Sequence, residues 1–511
     1  MGKLVNNYEN PLIYGKNPLQ KIVSIEAKDD SLEIFTQNFN GDITSSFHDN
    51  VYWLLTPRAI NAGFIELHGD LHYKYAKTFR DRSDFFKYKQ YLKSKNEDFY
   101  AVGDAKEAIM LRNGYTYFKG MEVKDISILS FDIETTGLNH DDESKILLIS
   151  NTYRSSTGKI IRGLFCYDNY ESQGEMLKAW VRFISIHNPS ILTGHNILSF
   201  DLPYMQYIAD KENIELNLGR DNSSINFDKY ESKFRKDGSQ FYHYKKAKIY
   251  GREVIDTLFL SIKYDATERK FESYGLKNII KQLGLEKKDR VYYDASKIRF
   301  NYKIPEEWVK IKQYCTDDGD DPITLFDLMS PAFFYWTQSI PKSFQSVIES
   351  ATGSQINSIM VRAYLQEKHS IPKANEAEHY EGAISHGVPG VYRNAFKVDV
   401  ASLYPSIMIK YKVGDKNKDP KGYFQELVLY FTTERLKNKK LAKTSKYHDD
   451  LQASQKIAIN SAYGFLGTAG LNFNAPDQAA FITKKGREIL GIAIQWATGK
   501  DYETWKKFNN L

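Results

Sequence analysis

The sequence predicts an α+β protein of several domains, and three observations carry that prediction. A chain of 511 residues with 42% hydrophobic residues has length for about two to four domains with ordinary cores. Strand-like apolar pieces occur in the first 125 residues, and a further apolar strand begins at Ile126. Towards the other end, two helical patterns around Glu434–Lys440 and Lys456–Gly464 face each other across a polar turn near Ser445–Asp450.

Composition narrows the function classes. No apolar run reaches membrane-spanning length, and the start MGKLVNNYENPL is too polar for a signal peptide. The expected location is therefore cytoplasmic, a bacterial host's cytoplasm if the gene is a phage's, and the abundance of Lys, Asn, Ile and Tyr fits an AT-rich genome of that kind. Cys166 and Cys315 are the only cysteines, too few for a disulfide framework or a cysteine metal site. The net charge of +6 is unevenly placed: Lys410–Lys446 holds eleven basic and four acidic residues, a local balance of +7. Such a run is by default a solvated helix face, and its sharper reading is a nucleic-acid contact.

Residues 1–125 read as an amino-terminal domain with strands near Lys21–Ile25, Leu32–Phe35 and Val51–Leu55. Its aromatics among lysines, Tyr73–Tyr75 and Phe85–Tyr91, are more simply core and rim than base-stacking groups that touch template.

The next segment is the most informative. Ile126–Gly137 is a buried strand ending in a turn, and Asp132 and Glu134, two apart, point to one face. Paired carboxylates repel unless a cation bridges them, so a metal is the economical explanation. Thr193–Pro203 reads as a strand end, a loop and a helix start, with Asp201 either a helix cap or a site residue. Pro305–Leu325 reads as a helix with an apolar face at Trp308, Ile311 and Cys315, on which Tyr314 and Asp318 share one side. Asp317, Asp318, Asp320 and Asp321 need positive charge nearby, unless they form an exposed acidic helix end. Gly251–Thr257 and Ser273–Lys277 look like connecting elements, and Asp256 is given no chemistry.

Together these pieces resemble the exonuclease motifs of proofreading DNA polymerases: DIE, then Nx3FD, then Yx3D. The resemblance implies that residues 126–330 form a ribonuclease H-like 3′–5′ exonuclease domain. Asp132, Glu134, Asp201 and Asp318 would hold two divalent ions, Tyr314 would orient the attacking water, and Asn196 and Phe200 would touch DNA. Oxygen donors favour Mg²⁺ or Mn²⁺ over zinc.

After a connecting segment, 331–380, comes Tyr380-Glu381-Gly382-Ala383, where glycine suits close approach to a phosphate or a tight turn. Phe396–Val400 then reads as a short apolar strand carrying Asp399, which is costly to bury without a cation. A turn through Ala401 to Pro405 follows. The string KVDVASLYPSIMI at Lys397–Ile409 resembles the first palm motif of the family B DNA polymerases, DxxSLYPSI. On the second helical pattern Lys456, Asn460 and Tyr463 project from one side, and Lys456–Gly464 resembles that family's Kx3NSxYG motif.

This second resemblance implies the first part of a palm at 381–424, two-helix fingers at 425–472 and a palm continuation at 473–511. Asp399 and the Val400 carbonyl would bind metal, with two ions per active site. Tyr404, beside Ser402 and Leu403, would lie under the sugar of the incoming nucleotide. Arg435, Lys456 and Asn460, with Lys439 as a further candidate, would contact its phosphates. Tyr463 and Gly464 would meet the base pair, and Tyr380 and Gly382 would hold the template strand during editing. Primer-template DNA and dNTPs are the implied substrates, and a sliding clamp is a further candidate partner.

The pattern then stops. The family's second palm carboxylate comes from a YxDTD hairpin, and the acidic residues after Gly464 are Asp477, Glu488, Asp501 and Glu503. Asp501-Tyr502-Glu503 has the spacing without an apolar strand around it. One aspartate cannot hold both ions of a nucleotidyl-transfer site. The expectation is the amino-terminal part of a polymerase encoded in two pieces, completed by a carboxy-terminal partner that brings the second carboxylate and the thumb. The alternative of another class is a stand-alone exonuclease whose polymerase part only binds DNA.

Overall fold

The computed structural model describes residues 8–237, 240–400 and 402–509; the first seven residues, with most of the polar start, and Ala401 of the palm-motif turn lie outside the described residues.

Two antiparallel three-stranded sheets open the chain. Ile22–Ala27, Ser31–Gln37 and Ile43–Asp49 pair in sequence order, whereas in the second sheet Tyr75–Phe79 lies between Tyr52–Thr56 and Phe64–Glu66. The two sheets serve different cores. Ile22, Val23, Ile25 and Ile34 join the core beneath the central sheet, and Trp53 and Leu55 join a core shared with helices from the second half of the chain. Tyr73 and Phe85 are buried, so the core reading of the aromatic-basic stretch holds for them.

The central sheet has five strands, in the order Glu253–Asp256, Ile191–Gly194, Ile128–Thr135, Ile146–Arg154 and Ile160–Cys166. The first three run parallel and the last two antiparallel to their neighbours. Strand Ile146–Arg154 is buried along nearly its whole length, because helix Pro305–Met329 lies across it. Such a strand reads as an unbroken apolar run, as Ile146–Ile149 does. Trp180, fully buried, donates from Nε1 to Asn151 Oδ1 at 2.8 Å and so ties helix Gln173–His187 to the same sheet.

Helices Pro331–Thr337, Phe344–Glu349 and Thr352–Gln366 carry the chain back towards its start. There Tyr73 N donates to Ile371 O at 2.9 Å. Beyond lie helices Leu403–Lys410, Tyr423–Leu441, Lys446–Gly467, Pro476–Thr498 and Tyr502–Phe508. The facing pair is Tyr423–Leu441 against Lys446–Gly467, joined through 442–445, so Lys446–Asp450 of the expected turn is the first part of the second helix.

One expectation is corrected. Phe396–Val400 is not a buried strand: the segment is irregular, Phe396 is 94% exposed, and Asp399 is exposed with it. An apolar run becomes a strand only where another strand satisfies its backbone, and among the described residues none pairs with this one.

Candidate active sites and family

Strand geometry turns Asp132 and Glu134 to the same face, with Ile133 between them packed into the core. Asp201 stands in the first turn of helix Asp201–Lys211. Its side chain does not cap that helix; Oδ1 instead accepts from Ile133 N at 3.2 Å, which draws it to strand Ile128–Thr135. The loop before the helix is built tightly. A Cβ on Gly194 would lie 2.6 Å from Phe131 O, and Asn196 takes a left-handed φ of 69° that asparagine tolerates. Asp256 shapes the same loop, accepting from Asn196 N at 2.8 Å and Leu198 N at 3.0 Å, and capping its own helix through Leu258 N at 2.9 Å. His195 Nε2 donates to Tyr274 O at 2.8 Å, and burial holds its pKa down to about 4.

Tyr314 and Asp318, one turn apart on helix Pro305–Met329, complete the group. Asp132, Glu134, Asn196, Phe200, Asp201, Tyr314 and Asp318 line one cavity of about 430 Å³, together with Lys277. Lys277 Nζ lies 3.4 Å from Asp318 and donates to Tyr314 Oη, while Arg290 Nη2 meets Asp318 Oδ1 at 2.5 Å.

The electrostatics follow from crowding anions away from water. Burial, then the Asp318 charge, pushes Glu134 up to about 8. Burial, then Asp256, pushes Asp201 up to about 8. Asp132 is raised well above the carboxylate range by burial and by Asp201, Glu134 and Asp318. Asp318 is raised too, burial outweighing Lys277 and Arg290, and Tyr314 is raised by burial and the surrounding carboxylates. Among the described residues no hydrogen bond reaches the carboxylates of Asp132 or Glu134. Converging oxygen donors left without hydrogen-bond partners fit divalent cations.

The other acids of the cluster, Asp317, Asp320 and Asp321, are buried, not an exposed helix end, and each finds a cation. Asp320 accepts from Arg162 Nε at 3.0 Å and pairs with Lys287; Asp321 pairs with Arg290; Asp317 lies 3.7 Å from Lys287.

A second group gathers around the facing helices. Lys456 and Tyr463 are half-buried and Asn460 and Gly464 exposed along one side of helix Lys446–Gly467. The Tyr404 ring centroid lies 4.8 Å from that of Tyr463, and Tyr463 Oη is 3.4 Å from Tyr380 Oη. Arg435 Nη1 reaches Ser402 Oγ at 3.5 Å, Leu403 begins helix Leu403–Lys410, and Lys439 is exposed. Arg487 donates to the carbonyls of Glu381 and Gly382 at 2.8 and 2.7 Å. Asp399 and Val400 stay outside this group, in the exposed segment before Ser402. Asp501 caps helix Tyr502–Phe508 through Thr504 N at 2.9 Å, so Asp501-Tyr502-Glu503 is a helix start and not a hairpin.

The model of the DNA polymerase family B exonuclease domain matches residues 112–279, and that of DNA polymerase family B matches residues 416–510. The chain belongs to the family B DNA polymerases. It is 25% identical over 413 residues to a DNA polymerase of Archaeoglobus fulgidus, covering 75% of this chain and 49% of that one. With DNA polymerase 1 of Pyrococcus abyssi it shares 25% over 423 residues (75% and 52%), and with the DNA polymerase delta catalytic subunit of Plasmodium falciparum 27% over 452 residues (75% and 40%). The chain thus spans about half the length of the archaeal relatives it matches. Its fold is that of the family B DNA polymerase from the hyperthermophilic archaeon Pyrobaculum calidifontis, with a TM-score of 0.72 at 16% identity over 93% of this chain and 71% of that one.

Three features around this cavity of the family B chain escape its sequence. Lys277 and Arg290 lie 41 and 28 positions before Asp318 and carry no motif of their own. Lys277 ends the Ser273–Lys277 stretch, which the sequence marks only as a connecting element. The third is Cys315: its Sγ and carboxylate oxygens of Asp132 and Glu134 all lie within 4.8 Å of one another, although the cysteine count had argued against any cysteine metal site.

Proposed function

We propose that this chain removes nucleotides from the 3′ end of DNA at the Asp132 cavity and carries the first palm motif and the fingers of a template-directed DNA polymerase. The observation that supports it most is the convergence of Asp132, Glu134, Asp201, Tyr314 and Asp318, drawn from three separate segments, on one cavity. In this reading Asp132, Glu134, Asp201 and Asp318 hold two divalent ions, Mg²⁺ or Mn²⁺, which when bound supply an activated water and charge neutralisation at the scissile phosphate. Tyr314 orients the water, Asn196 and Phe200 position the DNA end, and Lys277 and Arg290 offset the carboxylate charge. Arg435, Lys456 and Asn460 meet the dNTP phosphates, Tyr404 the sugar, and Tyr463 the base pair.

The same reading keeps the division into an amino-terminal domain (1–125), exonuclease (126–330), connecting segment (331–380), palm (381–424), fingers (425–472) and palm continuation (473–511), acting in the cytoplasm. Asp399 is the one carboxylate that its palm motif assigns to metal, and a two-ion transfer site needs another. We infer that further polypeptide supplies it, and a separate carboxy-terminal subunit is our favoured source. The exposed apolar side chains of Phe396, Val398, Ile492 and Trp496 support this, as surface that such a partner would cover.

The test is the chain alone with Mg²⁺, dNTPs and an end-labelled primer on template. Shortening without extension is expected. No shortening would overturn the exonuclease reading, and extension would place a second carboxylate within residues 1–511 and remove the need for a partner.

A further inference from the structure

Behind the carboxylates that line the cavity lies a donor that the oxygen-only ligand set does not use. Asp132 and Glu134 line the cavity, and Cys315 lies fully buried beyond them on helix Pro305–Met329. Its Sγ forms with one oxygen of each carboxylate a trio in which every pair is within 4.8 Å. Neither carboxylate accepts a hydrogen bond from a described residue, so both are free to turn towards a cation.

We propose that Asp132, Glu134 and Cys315 form a second, mixed carboxylate-thiolate binding mode of this site, which captures a thiophilic divalent ion of the Zn²⁺ or Cd²⁺ type and holds the exonuclease off. The inhibitory part of this rests on the exonuclease reading above. Sulfur and oxygen bonds of about 2.0–2.3 Å place tetrahedral donors about 3.5 Å apart, so the trio closes by roughly 1 Å to make the site. Movement of that size is within reach of carboxylate side chains whose oxygens are not fixed by hydrogen bonds. On binding, the S–H bond breaks, sulfur keeps the electron pair for the metal, and the proton leaves to solvent. Hard Mg²⁺ gains nothing from a thiol, whereas soft thiolate selects the thiophilic ion. The two binding modes share Asp132 and Glu134 and are therefore mutually exclusive.

The test titrates Cd²⁺ into the full chain and follows sulfur-to-cadmium charge-transfer absorption in the ultraviolet, with digestion of end-labelled single-stranded DNA in Mg²⁺ measured alongside. A 1:1 band is expected that survives Cys166→Ser and disappears in both Cys315→Ser and Cys315→Ala. In Cys315→Ser the Cd²⁺ concentration giving half-inhibition should rise at least tenfold. Asp132→Ala, which keeps the thiol, should weaken Cd²⁺ affinity by a similar factor. Absence of the band from the wild-type chain, or its persistence without Cys315, overturns the proposal. If the wild-type chain shows the band but does not digest DNA in Mg²⁺, the metal site stands and the exonuclease reading falls.

Discussion

Lys277 Nζ stands between two groups of the long helix, 3.4 Å from the Asp318 carboxylate and donating to Tyr314 Oη. It places the side chain assigned to the water and a carboxylate assigned to metal under one positive charge. Without it, Arg290 is the cation left beside Asp318, and Tyr314 loses the Lys277 ammonium as a donor to its hydroxyl. Lys277→Met should therefore lower the rate of single-strand digestion by about 100-fold, the scale seen when one preorganised donor is removed from a reacting centre. Lys277→Arg should restore part of the loss. Thermal unfolding should move little, because Lys277 is partly exposed. An unchanged digestion rate in Lys277→Met would remove it from the site.

With divalent ions chelated, the cavity's raised carboxylates make stability fall as pH rises. Burial raises Glu134 and Asp201 to about 8 in the fold, against about 4 in the unfolded chain. Between those values the folded state binds more protons than the unfolded state, so stability falls as pH rises from about 4 to about 8 and levels off above. Thermal scans in chelator should show Tm decreasing from pH 5 to pH 8, and Mg²⁺ should raise Tm most at the upper end. Glu134→Gln should flatten that slope and shrink the Mg²⁺ effect. A slope unchanged by this substitution would assign the pH dependence to other groups.

What could be read from the sequence was local, and what could not was not. Asp132 and Glu134 declare themselves by the period of two, Tyr314 and Asp318 by the period of four, and both survive because the elements around them have strong patterns of their own. Arg290 is invisible in advance: its value lies entirely in meeting Asp318 and Asp321 after folding. Phe396–Val400 fails for the complementary reason. Its apolar pattern suits a strand, but a strand also needs a neighbour, and the pattern within five residues says nothing of that. Asp201 shows the middle case. As a helix-start aspartate it fitted a cap equally well, and only the hydrogen bond from Ile133 N decides between the two.

Two substitutions separate the sites. Asp132→Ala removes a carboxylate from the centre of the cavity and should reduce 3′-end digestion by about a thousandfold or more, the scale of losing a catalytic group. Asp399→Ala changes an exposed residue of the segment before Ser402 and should leave digestion at the wild-type rate. Once the palm has its second carboxylate, the same Asp399→Ala should abolish primer extension. Equal loss of digestion in both variants would sink the separation.

The Tyr380–Gly382 segment is held from two sides, and each hold can be removed alone. Arg487 ties down the carbonyls of Glu381 and Gly382 and pairs with the Glu381 carboxylate at 3.0 Å. On the other side Tyr380 rests on the helix of Tyr463, where a Cβ on Gly467 would lie 2.3 Å from Tyr380 Oη. Arg487→Ala removes charged hydrogen bonds and should cost about 1–3 kcal/mol. Gly467→Ala overpacks the contact and should cost about 1–3 kcal/mol. Both should expose the irregular stretch that follows, so trypsin should cleave sooner after Arg393 and Lys397 than in the wild-type chain. Because the two changes act on the same anchor, their combination should cost less than the sum. Additive costs with unaltered cleavage would mean that the stretch is held by contacts other than these two.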